Sequence, residues 1–346
     1  ISCSGCNFYD ATRGKNTKFP EYPPIEVKDS YYFFDNRQAW QIIAFDLSTD
    51  KIVNIYDLGI YKTWISNFLY VKNRKRCYFS FNGDENMLLE FDPATGKSRR
   101  IGNQSYINHD TVFLNSNIEN ESLIIQDNHG ESLYRYFYDK DEVVKQEYKY
   151  ILGNGFILNN NKYITYADTF DNIGRNQFIY NWTKQQDTGI NLYKELNIAN
   201  DPNPNNNFIN YYFIYVFNCN FVGVTEEKDS TYTKLYKIES YEPFKISNVV
   251  DIIKDNKCYD SFMYNNNLYF FSSHFGWYYY GDIIKYDPIN LKLLDRYGTN
   301  DKNKTYNFSY EQHVISGNYL FSVQVEQKDR VLKIDLDDFS VKVIER

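Results

Sequence analysis

The chain lacks the motifs by which many enzymes are identified from sequence. It has only four histidines, and none of them forms the H-E-x-x-H pattern of a zinc-binding helix. It has no G-x-S-x-G segment, the turn that presents the catalytic serine of many hydrolases. It also has no run of roughly 18 apolar residues, the length that crosses a bilayer. The sequence therefore predicts no cofactor and no metal site, and it disfavours an enzyme.

The chain also lacks an excess of positive charge. Its net charge of −7 and pI near 5.3 repel phosphate backbones, so we expect no nucleic-acid partner. One basic cluster is present, formed by Lys72, Arg74, Lys75 and Arg76. We interpret this cluster as a solvated turn between strands rather than a phosphate site.

What the chain has in abundance is aromatic side chains. It contains 35 Tyr and 26 Phe, whereas runs of Ala, Leu and Glu at helical spacing are missing. Tyr, Phe, Ile and Val suit a pleated, half-buried surface, so the composition predicts an all-β protein. AT-rich codon usage would also raise the Tyr and Asn content, so aromatic richness alone is weak evidence for a binding site.

A hydrophobic strand that ends in aspartate recurs along the chain at a spacing of about 47 residues. A repeat of roughly 40 to 50 residues made only of strands is typical of propeller blades. We therefore predict a β-propeller of seven four-stranded antiparallel blades, with six or eight blades as alternatives. The repeated segments are Ile42–Asp46, Leu88–Asp92, Tyr136–Asp139, Ile284–Asp287 and Leu332–Asp335.

The ends of the chain differ from the repeats. Residues 1–24 contain Pro20, Pro23 and Pro24 and show no alternation, so they are predicted to be a tail or tether. Residues 25–346 are predicted to form the propeller domain. We expect Ile25–Lys28 to pair near the last blade or to supply the inner strand of the first.

The N-terminal residues suggest export. The chain begins with Ile rather than Met, which a removed signal peptide would explain. Ile1-Ser2-Cys3 resembles the end of a bacterial lipobox, so Cys3 is a candidate lipidation residue, and this lipid is the predicted membrane contact. Cys3 and Cys6 are alternatively a disulfide or a C-x-x-C metal pair. We predict an extracellular or cell-surface location.

Two further features fit a secreted protein. If Cys3 carries lipid, an even set remains for disulfide pairing, namely Cys6, Cys77, Cys219 and Cys258. N-x-S/T sequons also mark five candidate glycosylation sites, although chance predicts about as many in a chain this rich in Asn. The sequons begin at Asn103, Asn120, Asn181, Asn303 and Asn307.

One turn carries a family resemblance. The segment Phe91-Asp92-Pro93-Ala94-Thr95-Gly96-Lys97 resembles the strand-D-x-x-T-G-K turn of the broad propeller superfamily that includes quinoprotein-like and extracytoplasmic propeller lipoproteins. The resemblance implies a propeller architecture. Quinoprotein repeats carry a Trp after this turn, and Ser98 follows here instead, so the resemblance does not imply their cofactor.

The strongest binding candidate is an aromatic segment within the sixth blade. Aromatic side chains on a rigid loop supply contact area at low entropic cost and are enriched at interfaces. Packing between blades is the competing explanation. The candidate residues are His274, Phe275, Trp277, Tyr278, Tyr279 and Tyr280.

Three residues on predicted inner strands are candidates for facing the central channel: His109, Asp110 and His313. A structural histidine is the competing interpretation. Taken together, the sequence predicts an exported module that binds a protein or a glycan. The alternative is a propeller enzyme that acts on glycans or lactones with its site in the channel.

Overall fold

The structure is a computed structural model. It describes residues 21–36, 41–57, 64–82, 87–101, 112–115, 122–126, 133–146, 157–158, 163–167, 177–181, 184, 186–197, 211–217, 221–227, 231–254, 257–273, 282–289, 292–297, 306–325 and 327–346.

Strands make up nearly all of the secondary structure in these ranges, as the composition predicted. Twenty-eight strands pair antiparallel in seven sheets, which we number in chain order. The α-helix α1 (Leu192–Glu195) is a single turn, and the side chain of Asn191 caps its first amides. Within the described ranges, no helix has the length and apolarity needed to cross a membrane.

The chain divides into two compact units. Unit 1 consists of Ile1–Asn128, Ser132–Glu147 and Tyr306–Arg346, and it contains the first, second, third and seventh sheets. The first sheet is β1 (Tyr31–Asn36), β2 (Gln41–Asp46) and β3 (Lys51–Asp57). The second is β4 (Trp64–Val71), β5 (Arg76–Asn82), β6 (Met87–Asp92) and β7 (Lys97–Arg100). The third is β8 (Val112–Asn115), β9 (Ser122–Gln126), β10 (Leu133–Phe137) and β11 (Glu142–Gln146). The seventh is β25 (Phe308–Ser316), β26 (Tyr319–Gln324), β27 (Arg330–Asp335) and β28 (Val341–Glu345).

Unit 2 consists of His129–Glu131 and Tyr148–Thr305. Its fourth sheet is β12 (Ile157–Leu158), β13 (Tyr163–Ala167), β14 (Gln177–Asn181) and β15 (Gln186–Asn191). The fifth contains β16 (Tyr211–Phe217), β17 (Phe221–Glu227) and β18 (Thr231–Tyr241), with β19 (Phe244–Ile246) and β20 (Asp251–Lys254) both paired to β18. The sixth is β21 (Lys257–Tyr264), β22 (Asn267–Ser273), β23 (Asp282–Tyr286) and β24 (Leu293–Tyr297).

The sheets agree with most of the strand prediction. Five of the seven contain four described strands, but the first contains three and the fifth contains five. The extra strand arises because β18 is 11 residues long, so β19 pairs with its second half and β20 with its first half. The blade number and the domain boundary at residue 24 stay predictions.

The aspartate of the repeat forms the same turn in four sheets. One carboxylate oxygen accepts a hydrogen bond from the backbone N–H two residues later, the arrangement of an Asx turn. The donors are Ser48 for Asp46, Ala94 for Asp92, Ile289 for Asp287 and Asp337 for Asp335, at 2.8 to 2.9 Å. The repeat is therefore a turn signal that stops one strand and starts the next.

The predicted basic turn is present between β4 and β5. Three side chains of the basic turn form ion pairs. The nitrogen–oxygen distances are 3.2 Å for Arg74 and Asp139, 2.8 Å for Lys75 and Asp29, and 2.9 Å for Arg76 and Asp92. The acidic segment Asp335–Asp338 is also a turn, in which Asp338 accepts a hydrogen bond from the backbone N–H of Ser340.

Residues 21–28 form no strand or helix, and Asp29 and Ser30 form a turn before β1. The backbone N–H groups of Tyr22 and Ile25 donate to the carbonyls of Gly96 and Pro93, in the turn between β6 and β7. The expected pairing of Ile25–Lys28 with the first or last blade is therefore wrong. The Tyr22 ring packs edge-on against Tyr56 of the first sheet and Phe91 of the second, which anchors the segment across both sheets.

Candidate functional site

Most of the predicted site residues lie outside the described ranges. This applies to the whole aromatic segment, His274, Phe275, Trp277, Tyr278, Tyr279 and Tyr280, and to His109, Asp110 and Cys3. Of the predicted site residues, His313 lies within the described ranges.

His313 lies on β25 beside the first sheet and is partly buried. Its backbone carbonyl accepts a hydrogen bond from the Tyr32 hydroxyl at 3.4 Å. The register of β25 shifts between Phe308 and His313, and the hydroxyl oxygen of Ser322 lies 2.6 and 2.8 Å from the carbonyl oxygens of Ser309 and Gln312. The buried Ser322 therefore holds the irregular part of the strand in place.

Two of the features predicted for a secreted protein do not fit the described residues. Cys77 is buried with a free thiol, so it takes no part in the predicted disulfide set. Burial raises the pKa of this thiol, which keeps it protonated and unreactive at neutral pH. Asn181 is also buried, and its amide donates to the Glu242 carboxylate at 3.1 Å, so a glycan cannot occupy it without breaking this contact. The described ranges contain no cluster of three or more His, Cys, Asp or Glu that could hold a metal ion.

A polar network joins the second and third sheets. Arg99 donates to Glu90 at 2.8 Å, to Asp141 at 2.7 Å and to the Tyr136 hydroxyl at 3.0 Å. The Tyr78 hydroxyl donates to the Glu90 carboxylate, and the Tyr136 hydroxyl donates to the Asp141 carboxylate, each at 2.8 Å. Burial and the nearby carboxylates raise the pKa of both tyrosines, so neither is poised to act as a base or nucleophile. We interpret this network as structural.

A second feature is a group of exposed apolar side chains in unit 2. Most large hydrophobic residues in the described ranges are buried or half-buried. Five others are at least 42% exposed. We call this group the apolar end. It comprises Val249 at 42%, Met263 at 49%, Ile289 at 87%, Leu293 at 51% and Leu294 at 48%.

The strand register places four of these residues at one end of the sixth sheet. Met263 pairs with Leu268 across the first hairpin, and Leu293 pairs with Tyr286 across the last. Leu294 lies where the register of β24 shifts, and Ile289 lies in the turn that joins β23 to β24. The hairpin turns of β21–β22 and β23–β24 are at the same end of the sheet, so these side chains surround that end.

Val249 extends the apolar end to the fifth sheet. Its neighbour Val250 donates to the carbonyl of Leu235 at 2.8 Å. Val250 also packs against a buried cluster that contains Leu235 of the fifth sheet and Leu268 and Tyr286 of the sixth. Leu268 and Tyr286 are the register partners of Met263 and Leu293, so these two exposed residues and Val249 lie next to members of the same cluster.

The outer strand β24 differs from the outer strands of other sheets. It is the last strand of its sheet in the described ranges, and Leu293 and Leu294 are both exposed on it. The corresponding strands of the second, third and seventh sheets expose Lys97, Glu142 and Lys342. Charged residues on edge strands discourage contact with other chains, and β24 lacks them at these two positions.

Sequence reasoning did not identify the apolar end. The repeat correctly located the strand before Asp287, but single exposed apolar residues are common on protein surfaces and are a weak signal in sequence. The available signal is the adjacent pair Leu293-Leu294. In a strand with one buried face, neighbouring residues point to opposite faces, so two leucines in a row place at least one of them outside.

No protein-family model and no curated protein sequence matches the chain. Similarity to solved structures is extensive but distant in sequence. A dihydro-heme d1 dehydrogenase, NirN, superimposes with a TM-score of 0.52 at 9% identity, covering 94% of this chain and 75% of that protein. The hydrazine synthase of Kuenenia stuttgartiensis gives 0.52 at 10% identity, covering 92% of each chain. A candidate 6-phosphogluconolactonase from Bacteroides fragilis gives 0.53 at 13% identity, covering 92% of this chain and 95% of that protein.

These neighbours are propeller-type folds, and the chain shares their succession of small antiparallel sheets. The fold is a β-propeller. At 9–13% identity the similarity shows the fold alone, because one propeller architecture supports many unrelated functions. The similarity therefore assigns no activity to this chain.

Proposed function

We propose that this propeller is a protein-binding module, and that the apolar end of unit 2 is part of its binding surface. The observation that carries the proposal is the exposure of Val249, Met263, Ile289, Leu293 and Leu294, four of which lie at one end of the sixth sheet. Contiguous exposed apolar residues commonly mark interaction surfaces on soluble proteins.

The surroundings of the apolar end fit a protein partner. The centre of a protein interface is apolar and poor in charge, and its rim is polar. Here exposed Lys292 and Asp295 flank Leu293 and Leu294 in the chain. Such a mixed rim matches a partner with both charge signs.

Substitution at the centre of the surface tests this proposal. Leu293→Ser and Ile289→Ser remove the apolar contact area without touching the buried cluster. After a partner has been captured, identified by mass spectrometry and purified, its Kd for each variant is measured by calorimetry. We expect at least a tenfold weaker complex, since a central contact contributes more than about 1 kcal/mol.

The matched control is Lys342→Ser, an exposed position on the outer strand of the seventh sheet. It should bind as the parent protein does. A partner that binds the Leu293 and Ile289 variants with unchanged Kd would contradict the role of the apolar end.

Glycan binding is the second half of the proposal and is supported by the aromatic composition of residues 274–280. Aromatic faces stack on sugar rings, so a glycan array probed with the parent protein and with Trp277→Ala tests it directly. Binding that the Trp277 variant loses would support a glycan partner, and an array without signal would contradict it.

The same proposal includes export of the protein and an N-terminal lipid at Cys3, as in the extracytoplasmic propeller lipoproteins that the chain resembles. The Ile1-Ser2-Cys3 sequence supports them. Mass spectrometry of the N-terminal peptide from the native source should find diacylglyceryl mass on Cys3. An unmodified Cys3 would remove the anchor from the proposal.

The alternative function is an enzyme that acts on glycans or lactones in the central channel. His313 is the candidate channel residue within the described ranges, and its backbone carbonyl is engaged with Tyr32. The apolar end gives protein binding the more direct support.

A further inference from the structure

A surface groove between the first and second sheets holds residues 22–25 of the chain. The side chains of Tyr22 and Ile25 are half-buried in it, whereas the two residues between them are exposed. Both inserted side chains pack against a buried cluster that contains Tyr56 of the first sheet and Phe91 of the second. The groove therefore has an aromatic floor and lies at the surface rather than in the core.

The groove also binds the backbone of these residues. The N–H of Tyr22 donates to the Gly96 carbonyl at 2.8 Å, and the N–H of Ile25 donates to the Pro93 carbonyl at 3.0 Å. The two residues between them are prolines, which have no N–H that would need a partner. The Tyr22 hydroxyl adds a hydrogen bond to the carbonyl of Asp57 at 2.9 Å. The groove thus satisfies both backbone donors of the four residues.

Gly96 provides the space for this backbone. A Cβ atom at Gly96 would lie 1.8 Å from the backbone oxygen of Tyr22. Glycine is the residue that allows another backbone to approach so closely. The turn between β6 and β7 is therefore shaped to accept a peptide backbone as well as to reverse its own chain.

The sequence in the groove, Tyr22-Pro23-Pro24-Ile25, is well suited to bind as a short extended segment. Proline fixes its own φ, and the residue before a proline is restricted to extended conformations. Such a segment therefore loses little conformational entropy when it binds. Aromatic-lined grooves recognise proline-rich peptides for this reason.

We propose that this groove is a binding site for an extended aromatic-Pro-Pro-aliphatic segment of another protein, and that residues 22–25 occupy it in cis and thereby block it. Each copy of this chain fills its own groove, so the partner is a different protein. The cis segment can exchange with a partner because two inserted side chains and three hydrogen bonds hold residues 22–25 at the surface. This second surface lies in unit 1, and the inference does not depend on the apolar end.

A fluorescently labelled peptide of residues 21–28 tests the groove on the full chain. The double substitution Tyr22→Ala and Ile25→Ala, which we call the released variant, frees the groove without changing the residues that line it. Fluorescence anisotropy should give at least about tenfold tighter peptide binding to the released variant than to the parent protein, in which the cis segment competes at an effective concentration of about 1 mM. A peptide with Tyr22→Phe should bind about two- to tenfold more weakly, because it cannot donate to the Asp57 carbonyl.

Gly96→Ala in the released variant should abolish peptide binding, because the new Cβ atom takes the space of the peptide backbone. Gly317→Ala in the same background is the matched control, since its φ is also positive and the position of its Cβ is open, and it should bind the peptide fully. Cooperative thermal unfolding checks that each variant is folded. A folded released variant that does not bind the peptide, or equal binding to the Gly96→Ala protein, would overturn the proposal.

The parent protein allows a measurement that does not depend on the fold of any variant. Unlabelled peptide at concentrations above about 1 mM should displace the cis segment and speed hydrogen exchange at the amides of Tyr22 and Ile25. NMR spectroscopy can follow these two amides individually. Exchange rates that do not respond to the peptide would also overturn the proposal.

Discussion

Single aspartates shape the turns of this propeller. The carboxylate of Asp46 accepts hydrogen bonds from the backbone N–H and hydroxyl of Ser48 and from the hydroxyl of Thr49, at 2.7 to 3.0 Å. Four residues after Asp46, Asp92 and Asp335, the backbone adopts a left-handed conformation, at Asp50, Gly96 and Phe339. Each turn therefore depends on one side chain that replaces a backbone acceptor and on one residue with positive φ.

Asp46 gives the protein a specific sensitivity to acid. Burial raises the pKa of Asp46, but hydrogen bonds from Ser48, Ser30 and Thr49 outweigh it and hold the pKa at about 2. Since the folded pKa lies below the unfolded value of about 3.9, the carboxylate stabilises the fold above pH 4. That contribution, about 2 kcal/mol, should disappear as the pH falls from 4 to 2.

Urea denaturation at pH 5 and at pH 2.5 measures this effect. Asp46→Asn keeps the Asx-turn acceptor but does not titrate, so its stability should fall less than that of the parent protein between the two pH values. Equal losses would show that Asp46 does not contribute to the acid sensitivity.

Gly96 is the residue at which substitution should be most harmful among these turns. Its φ is +71°, and a Cβ atom there would lie 1.8 Å from the backbone oxygen of Tyr22. Gly96→Ala should therefore destabilise the protein by more than about 2 kcal/mol and release residues 21–30 from the second sheet. Denaturant unfolding and proteolysis near Tyr22 measure the two effects.

Gly317→Ala is the matched control. Its φ of +58° carries similar backbone strain, but the position of its Cβ is open. It should cost only about 1 kcal/mol. If both variants lost the same stability, the contact with Tyr22 would be of no consequence.

At the scale of elements, neighbouring sheets in unit 1 are joined by tyrosine rings with polar ends. Between the second and third sheets, Tyr78, Tyr136 and Tyr138 pack against one another with ring centroids 5.6 to 6.3 Å apart. Their rings fill the core, while the hydroxyls of Tyr78 and Tyr136 donate to carboxylates at the edge of the contact. Tyrosine supplies both a large apolar area and a hydrogen-bond donor, which explains why the chain uses it so often.

A double-mutant cycle should detect coupling across this contact. Tyr136→Phe and Asp141→Ala each remove the hydrogen bond from the Tyr136 hydroxyl to Asp141, so their combined cost should be smaller than the sum. We expect a coupling energy of about 0.5–3 kcal/mol from urea denaturation. The pair Tyr136→Phe and Lys342→Ala, which makes no contact, should be additive. Additivity in both cycles would mean that the network contributes no specific energy.

At the scale of the whole molecule, the first and seventh sheets bring the two ends of the sequence together in unit 1. Phe34, Ile43 and Phe45 pack with Phe321, Val323 and Val331 in one cluster. Beside it, the Lys333 ammonium forms an ion pair with Asp50 and lies 3.8 Å from the centroid of the Tyr319 ring. Contacts between such distant parts of the sequence carry a large cost in loop-closure entropy, which slows folding.

The Lys333 contact should contribute measurably to global stability. The side chains of Lys333 and Asp50 are only 17% and 25% exposed, so Lys333→Met leaves a largely buried carboxylate without its partner. We expect a loss of about 1–3 kcal/mol in denaturant unfolding. Methionine keeps the contact with the aromatic rings, so the loss of stability measures the contribution of the Lys333 charge.

Arg330→Met on the same strand is the control. Its ion pair with Glu345 is 35% and 55% exposed, and exposed pairs contribute at most about 1 kcal/mol. A larger loss for Arg330→Met than for Lys333→Met would contradict this assignment.

The sequence alone determined the strand class, the turns and the repeat. Asp46, Asp92, Asp287 and Asp335 were visible at regular spacing because an Asx turn uses residues that are adjacent in the chain. The propeller prediction followed from that spacing and is confirmed by the solved structures of the same fold. Turns formed by residues adjacent in the chain can therefore be recognised from the sequence.

Only the tertiary structure decided which residues meet across sheets and which stay exposed. The path of residues 21–30 over Gly96 and the exposure of Leu293 and Leu294 depend on neighbours far away in sequence. The physical reason is that burial and hydrogen-bond satisfaction are properties of packed sheets, whereas periodicity reports only one strand and its turn.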